Sequence, residues 1–210
     1  LVHRGCPKNL VDSEHMLATL AGEGALLTGE AALADVLVLN TCAFIGEAKR
    51  ESIDRVLEAE RWKAERAGRR VVVAGCLAER YPDELRREVP SIDALVGTGQ
   101  VPEVAAAAAG RVLALPGRKL PEWLPDAGTR RVLTTATHTA YIKIAEGCDH
   151  VCSFCIIPTL RGKQRSRPVE DVVAEARALV EMGVVEVNLV AQDSTSYGED
   201  RGERDGLATL

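Results

Sequence analysis

Three cysteines stand close together directly after a short apolar segment, in the pattern Cys148-x3-Cys152-x2-Cys155. This spacing lets one loop wrap around a compact inorganic core and direct three thiolates at three of its metal atoms. A four-iron cubane held by three cysteines keeps one iron without a protein ligand. A small molecule that carries amine and carboxylate groups can occupy that open position, so the pattern predicts a reactive cluster site.

Two other interpretations of this loop stay open at the level of sequence. Structural zinc usually uses Cys-x2-Cys pairs with a fourth cysteine or histidine, and His150 inside the loop could be that fourth ligand. Three buried thiols without metal are the other alternative, although Asp149 and Ser153 make the loop polar.

The remaining cysteines, Cys6, Cys42 and Cys76, are dispersed along the sequence, but each follows a predicted strand by two or three residues. The carboxyl ends of parallel strands meet at one edge of a sheet, where ligands bind in open α/β folds. Taken singly, each of these cysteines is more often a small buried hydrophobic residue than a ligand. Their repeated placement nevertheless predicts that they converge and hold a second cluster.

The elements that must position these cysteines follow from the apolar pattern. Uninterrupted apolar runs alternate with amphipathic segments, which indicates an α/β fold with a parallel sheet flanked by helices. A short apolar start at residues 1–3 precedes Cys6, and further predicted strands cover residues 36–39, 71–74, 92–96, 141–144 and 185–190. The predicted helices cover residues 12–22, 47–67, 82–88, 102–109 and 169–182.

Prolines and glycines interrupt this alternation near the middle of the chain, which is typical of a linker. We therefore predict an N-terminal domain over residues 1–112, a linker over 113–138 and a second domain over 139–210. The chain starts at Leu1 and stops at Leu210 soon after a strand, so we expect a fragment that is catalytically inactive on its own.

Composition excludes several classes of protein. The 210 residues are 46% hydrophobic and 27% charged, which is incompatible with intrinsic disorder. No apolar run reaches the roughly eighteen residues that a membrane span needs, and no secretory signal is visible, so we expect a cytoplasmic protein. A net charge of −5 offers no global basic surface, and we expect no direct nucleic-acid binding by this chain.

One local basic run stands out against that acidic background. It contains Arg161, Lys163, Arg165 and Arg167 with no acidic residue among them. The run is either a solvated loop before the helix at 169–182 or a contact for a cofactor carboxylate or a substrate, because guanidinium groups pair well with carboxylates.

These motifs carry a family resemblance. The cysteine loop, with Phe154 before its last cysteine, resembles that of radical S-adenosylmethionine enzymes, and the three preceding cysteines resemble the methylthiotransferases of that superfamily. The segments most similar to the branch that modifies an aspartate of small-subunit ribosomal protein twelve are GCPKNLVDSE (5–14), NTCAFI (40–45), RGKQRSRP (161–168) and QDSTSYG (192–198). The branch that modifies a tRNA adenosine typically has GCQMN at the first of these sites.

The resemblance implies a fold, cofactors and partners. It implies a methylthiotransferase domain followed by the first part of a radical SAM partial (β/α) barrel. It also implies two 4Fe-4S clusters: one on Cys148, Cys152 and Cys155 that cleaves S-adenosylmethionine, and one on the dispersed cysteines that supplies or carries sulfur. Phe154, Gln192 and Asp193 would contact S-adenosylmethionine.

The implied reaction is methylthiolation of an aspartate β-carbon in the ribosomal protein, with an electron donor protein as a second partner. That carbon has no acidic proton for a general base to remove, so radical chemistry is required. The same chemistry on a tRNA adenosine is the nearest alternative, and the negative net charge weighs against it. A zinc or iron-sulfur binding module without catalytic activity is an alternative of another class.

Overall fold

The computed structural model describes residues 1–3, 5–111, 116 and 121–210. The structure does not describe residues 112–115 and 117–120. These residues fall at the end of the predicted first domain and in the predicted linker. Residues 121–138 contain neither a helix nor a strand. The division of the chain at 113–138 stays a prediction.

The N-terminal part is a sheet of four parallel strands, arranged β1-β2-β3-β4, with helices between them. In chain order the elements are β1 (Val2–His3), α1 (Pro7–Gly22), β2 (Val36–Thr41), α2 (Gly46–Ala64), β3 (Arg70–Gly75), α3 (Cys76–Arg80), α4 (Pro82–Glu88), β4 (Ala94–Val96) and α5 (Val104–Ala108). The register pairs Val36 with Arg70 and Thr41 with Gly75, so β2 and β3 end together. The predicted parallel sheet flanked by helices is confirmed.

The sheet is covered on both faces, which explains its uninterrupted apolar runs. Successive side chains of a strand point to opposite faces. Val72 packs in one core with Met16 of α1 and Val104 of α5. Val73 packs in the other core with Val56 of α2. The molecule therefore has helix, sheet and helix layers in this part.

Three elements differ from the sequence prediction. The first helix begins at Pro7 and not at residue 12, because proline at the first helical position needs no hydrogen-bond partner and has its φ preset. The helix predicted over 102–109 is a 3-10 turn (Val101–Glu103) followed by α5. The short helix α3 was not predicted, and it starts directly at the end of β3.

The second part is built around another parallel pair. Its elements are β5 (Thr139–Lys143), β6 (Ala145–Glu146), α6 (Ile157–Arg161), β7 (Arg165–Ser166), α7 (Val169–Glu181), β8 (Glu186–Val190) and α8 (Gly206–Thr209). Strands β5 and β8 are parallel and are joined through α7, as the alternation of strand, helix and strand predicts. The sequence did not reveal the antiparallel pair of β6 and β7 or the helix α6.

Buried ion pairs connect the two parts. Lys143 at the end of β5 contacts Asp12 of α1, and Arg131 contacts Glu14 of the same helix. Arg131 also lies 2.6 Å from Glu175 of α7. Breaking a buried pair by removing one partner costs about 3–5 kcal/mol, because the other charge is left uncompensated. These contacts fix α1 against β5 and α7.

None of the described helices is both long and apolar enough to cross a bilayer.

The turn from β3 into α3 depends on Gly75, which has φ 86° and ψ −154°. A Cβ there would lie 2.3 Å from Oδ1 of Asn40 and 2.7 Å from the carbonyl oxygen of Thr41. We expect Gly75→Ala to lower the free energy of unfolding by at least about 3 kcal/mol, through backbone strain and steric collision together. Urea denaturation followed by circular dichroism measures this loss.

Gly68→Ala is the matched control, because Gly68 also has φ 86° but a Cβ there meets nothing within 4 Å. It should cost only about 1–2 kcal/mol. Equal losses for the two variants would show that the collision at residue 75 is relieved without cost.

Candidate functional site

A cavity of about 580 Å³ lies where the carboxyl ends of the first sheet face the cysteine loop of the second part. Five of the six cysteines line it: Cys6, Cys42, Cys76, Cys148 and Cys155. All six cysteines are free thiols. The cavity is the place in the described structure where the two cysteine sets meet.

The three dispersed cysteines reach the cavity from three consecutive strand ends. Cys6 lies between β1 and α1, Cys42 follows β2 directly, and Cys76 is the first residue of α3. Thr41 and Gly75 are paired in the register of β2 and β3, so the residues that follow them, Cys42 and Cys76, lie side by side at the sheet edge. The structure therefore brings these three residues together, and their role as metal ligands remains a prediction.

Polar side chains behind these cysteines fix the surrounding backbone. The hydroxyl of Ser52 in α2 accepts a hydrogen bond from the N–H of Cys42 at 3.0 Å and donates to its carbonyl oxygen at 2.7 Å. Asn40 donates to the carbonyl oxygen of Asn9 and to the hydroxyl of Ser13, both at 2.8 Å. Sequence reasoning missed Ser52, which is one polar residue among many on a charged helix.

The cysteine loop is only partly directed into the cavity. Cys148 is buried, and its N–H donates to the carbonyl oxygen of Gly162 at 3.1 Å. Cys155 is half-buried, whereas Cys152 is exposed and does not line the cavity. The structure thus places two of the three loop cysteines beside the dispersed set.

His150 pairs with an acidic side chain of another segment. Its Nε2 lies 2.7 Å from Oδ2 of Asp193. Among the residues that the structure describes, no group of three histidine, cysteine or acidic side chains is placed to hold a single metal ion. The geometry gives no support to His150 as a fourth zinc ligand.

The basic run differs from the solvated-loop interpretation at two of its four positions. Arg161 and Arg167 are each only 1% exposed, so the interpretation of the run as a solvated loop is wrong for them. Arg167 pairs with Asp171 at 2.7 Å and with Glu175. Lys163 is exposed, and Arg165 is partly buried. The acidic partners of Arg161 and Arg167 lie outside the run, which is why the run looked unpaired.

Arg161 belongs to a buried group of four charges that we call the charge quartet: Asp12, Lys143, Glu146 and Arg161. Nη1 of Arg161 lies 2.9 Å from Oε1 of Glu146 and 3.3 Å from Oδ2 of Asp12. Nζ of Lys143 lies 2.7 Å from Oε2 of Glu146. A lysine at the end of strand β5, next to the apolar residues Ile142 and Ile144, was a sequence signal that could have revealed this group.

The quartet shapes the electrostatics of the site. Burial by itself would raise the pKa of Glu146, but Arg161 and Lys143 hold the pKa of that carboxyl well below its ordinary value. Burial raises the pKa of the Cys76 thiol, and the Arg161 guanidinium opposes that rise. Arg161 is therefore a cation that touches both a carboxylate and a site thiol.

The three residues predicted to contact a cofactor differ in their position relative to the cavity. Gln192 lines the cavity and donates to Oε1 of Glu146 at 2.6 Å. Phe154 is 86% exposed, and neither it nor Asp193 is among the residues that line the cavity in the described structure. The geometry supports a direct contact only for Gln192. Sequence reasoning missed Lys8, which also lines the cavity.

Two family models match the chain. Residues 1–97 match the model described as uncharacterized protein family UPF0004, and residues 142–208 match the model of the radical SAM superfamily. The two matches fall on the first parallel sheet and on the part that carries the cysteine loop.

Curated relatives match nearly the whole chain. It is 51% identical over 209 residues to the ribosomal protein uS12 methylthiotransferase RimO of Myxococcus xanthus, covering 98% of this chain and 43% of that protein. The proteins of the same name from Koribacter versatilis and Pelotomaculum thermopropionicum are 45% identical over 253 residues and 53% identical over 205 residues. These alignments cover 100% and 95% of this chain, and 50% and 46% of the relatives. The chain spans about half the length of the curated relatives it matches.

Asp193 provides a pH-dependent test of the site's hydrogen bonds. The Thr195 hydroxyl (2.6 Å), then the Ser196 hydroxyl (2.9 Å) and His150, lower the pKa of Asp193 to about 2. Its contribution to stability is therefore present above the ordinary value of 3.8 and is lost as the pH falls through about 2. Carboxyl-carbon NMR should show Asp193 still ionised at pH 3.

Thr195→Val should raise the Asp193 midpoint toward 3.8, because it removes the strongest of these donors. Thr135→Val is the matched control, since the Thr135 hydroxyl donates to the carbonyl oxygen of Thr139 and not to Asp193. An unaltered midpoint in Thr195→Val would contradict the assignment.

Proposed function

Because the chain belongs to the radical S-adenosylmethionine methylthiotransferase family, we propose that it forms the cluster-binding part of an enzyme that methylthiolates ribosomal protein uS12. The modified atom in this proposal is the β-carbon of an aspartate. The relatives named above are all uS12 methylthiotransferases, so a tRNA adenosine is not the favoured substrate.

The observation that carries the proposal is the common cavity. Cysteines of the dispersed set and of the loop line one space, so a sulfur held by one set is next to the reactive centre held by the other. Thiolates are the ligands of iron-sulfur clusters, and these six thiols are free of disulfides. Each set supplies three thiols, the number that a 4Fe-4S cluster with one open iron needs.

In this proposal Cys6, Cys42 and Cys76 hold the first cluster, and Cys148, Cys152 and Cys155 hold the second. The bound clusters and S-adenosylmethionine supply one-electron chemistry, which can remove a hydrogen that no side-chain base can abstract. Cys152 is exposed and is not among the residues that line the cavity, so its part in the second cluster rests on the spacing of the loop.

The chain's own residues prepare the cavity for this chemistry. Phe44 and Ile45 line it while remaining about half exposed, which places apolar side chains at its opening. Apolar walls limit the access of water, which would otherwise compete with substrate for a reactive centre. Gln192 lines one wall, and an amide N–H is a type of group that can receive a cofactor carboxylate.

The proposal also implies two partners and a location. The protein substrate must present an aspartate side chain at the cavity, and a separate electron donor protein must supply the reducing electrons. A ribosomal substrate implies that the enzyme acts in the cytoplasm.

Iron analysis tests the cluster assignment. Anaerobic reconstitution should give about eight irons and eight sulfides per chain, as expected for two cubanes. Cys6→Ala and Cys148→Ala should each lose about half of that content, because each removes a ligand of a different cluster. Ser153→Ala, in the exposed part of the same loop, should keep the full content. Stoichiometric zinc and no reducible centre by electron paramagnetic resonance would rule out the assignment.

The substrate is tested by mass spectrometry of ribosomal protein uS12 from cells that have or lack the full-length gene. We expect the aspartate to gain one methylthio group only when the gene is present, and Cys6→Ala in that gene to abolish the gain. Loss of a tRNA modification in the deletion strain, with the aspartate unchanged, would overturn the proposed substrate.

A further inference from the structure

The guanidinium of Arg161 reaches across the two parts of the chain to a site cysteine. Arg161 ends α6, whereas Cys76 begins α3 of the first part. Nη2 of Arg161 lies 3.6 Å from Sγ of Cys76, within the range of a hydrogen bond to sulfur. The residues are 1% and 6% exposed, so water does not compete effectively for this contact.

The two edges of this guanidinium have different partners. Nη1 donates to both carboxylate oxygens of Glu146 at 2.9 Å and to Asp12 at 3.3 Å. Nη2 lies 3.5 Å from Oδ1 of Asn9 and faces Cys76. The planar, fixed fork of arginine therefore presents one donor edge to the acids and the other to the thiol.

The charge quartet is electrically balanced, because Lys143 and Arg161 offset Asp12 and Glu146. Its net charge contributes little at a distance, but Cys76 is close enough to Arg161 to be affected both by the guanidinium charge and by the N–H donor on the Nη2 edge. The carboxylates hold this donor in place from behind. Arg161 is thus held next to the sulfur within a buried group whose net charge is zero.

We propose that Arg161 is a positioning residue whose N–H donates a hydrogen bond to the Cys76 thiolate and raises the reduction potential of the cluster on Cys6, Cys42 and Cys76. The inference rests on the proposed function, because it needs a cluster on these residues. One-electron reduction adds negative charge to a thiolate-ligated cluster, and hydrogen bonds to sulfur are among the factors that set its potential. No bond forms or breaks in this step.

The donor is supplied by the second part of the chain, while the sulfur belongs to the first. The potential of the first cluster therefore depends on the packing of α6 against α3. The potential of the cluster on the dispersed cysteines is thereby linked to the position of α6, the helix that follows the cysteine loop of the second part.

The test uses the 210-residue chain carrying Cys148→Ala, Cys152→Ala and Cys155→Ala, so that only one cluster is present. Its potential is measured by anaerobic titration with dithionite, followed by electron paramagnetic resonance. Arg161→Lys keeps the positive charge but has no second donor edge. We expect the equilibrium constant for reduction to fall at least tenfold, which is about 59 mV for one electron.

Arg167→Lys is the matched control, because Arg167 is an equally buried, ion-paired arginine whose partners are Asp171 and Glu175. Its potential should equal that of the parent chain. A shift in Arg161→Lys no larger than in Arg167→Lys would overturn the inference.

Glu146→Gln keeps the inference testable if Arg161→Lys does not fold or does not retain iron. It removes a negative charge from the Nη1 edge but keeps an amide oxygen that accepts a hydrogen bond from Arg161, so we expect the potential to rise. A fall or no change in this variant would also overturn the inference. A parent chain without any reducible centre would overturn the proposed function as well, which distinguishes the two failures.

Discussion

The arrangement of the site depends on one group of buried charges. Asp12, Lys143, Glu146 and Arg161 come from α1, β5, β6 and α6, and their side chains are almost completely buried. Burying four charges is tolerable only when each has its partners at contact distance, so α1 and α6 have little freedom to shift. Because Cys6 precedes α1 and Cys148 follows β6, the same contacts fix the separation between the two cysteine sets.

Much of this arrangement could be predicted from the sequence. The apolar runs at residues 36–39 and 71–74 identify central strands, since only a sheet covered on both faces tolerates them. Once those strands are parallel, residues that follow them lie on one edge of the sheet, and Cys42 and Cys76 become neighbours. This part of the prediction rests on backbone geometry and needs no knowledge of side-chain packing.

The charge quartet could not be predicted in the same way. Asp12 and Arg161 are 149 residues apart in the chain, and nothing in their local patterns distinguishes a buried pair from two solvated charges. The orientation of the cysteine loop was equally inaccessible, because the pairing of His150 with Asp193 depends on how the loop is packed against residues 192–196. Local spacing predicts candidate ligands but leaves open which way a loop turns.

The thiols of the two cysteine sets also come together at different stages of synthesis. The loop cysteines occur within one short segment, so their thiols are neighbours as soon as that segment leaves the ribosome. The dispersed cysteines approach one another only after β1, β2 and β3 have paired, which requires closing two long stretches of chain. For the cluster proposed on Cys6, Cys42 and Cys76, a complete set of thiols therefore exists only in a chain whose sheet has already folded.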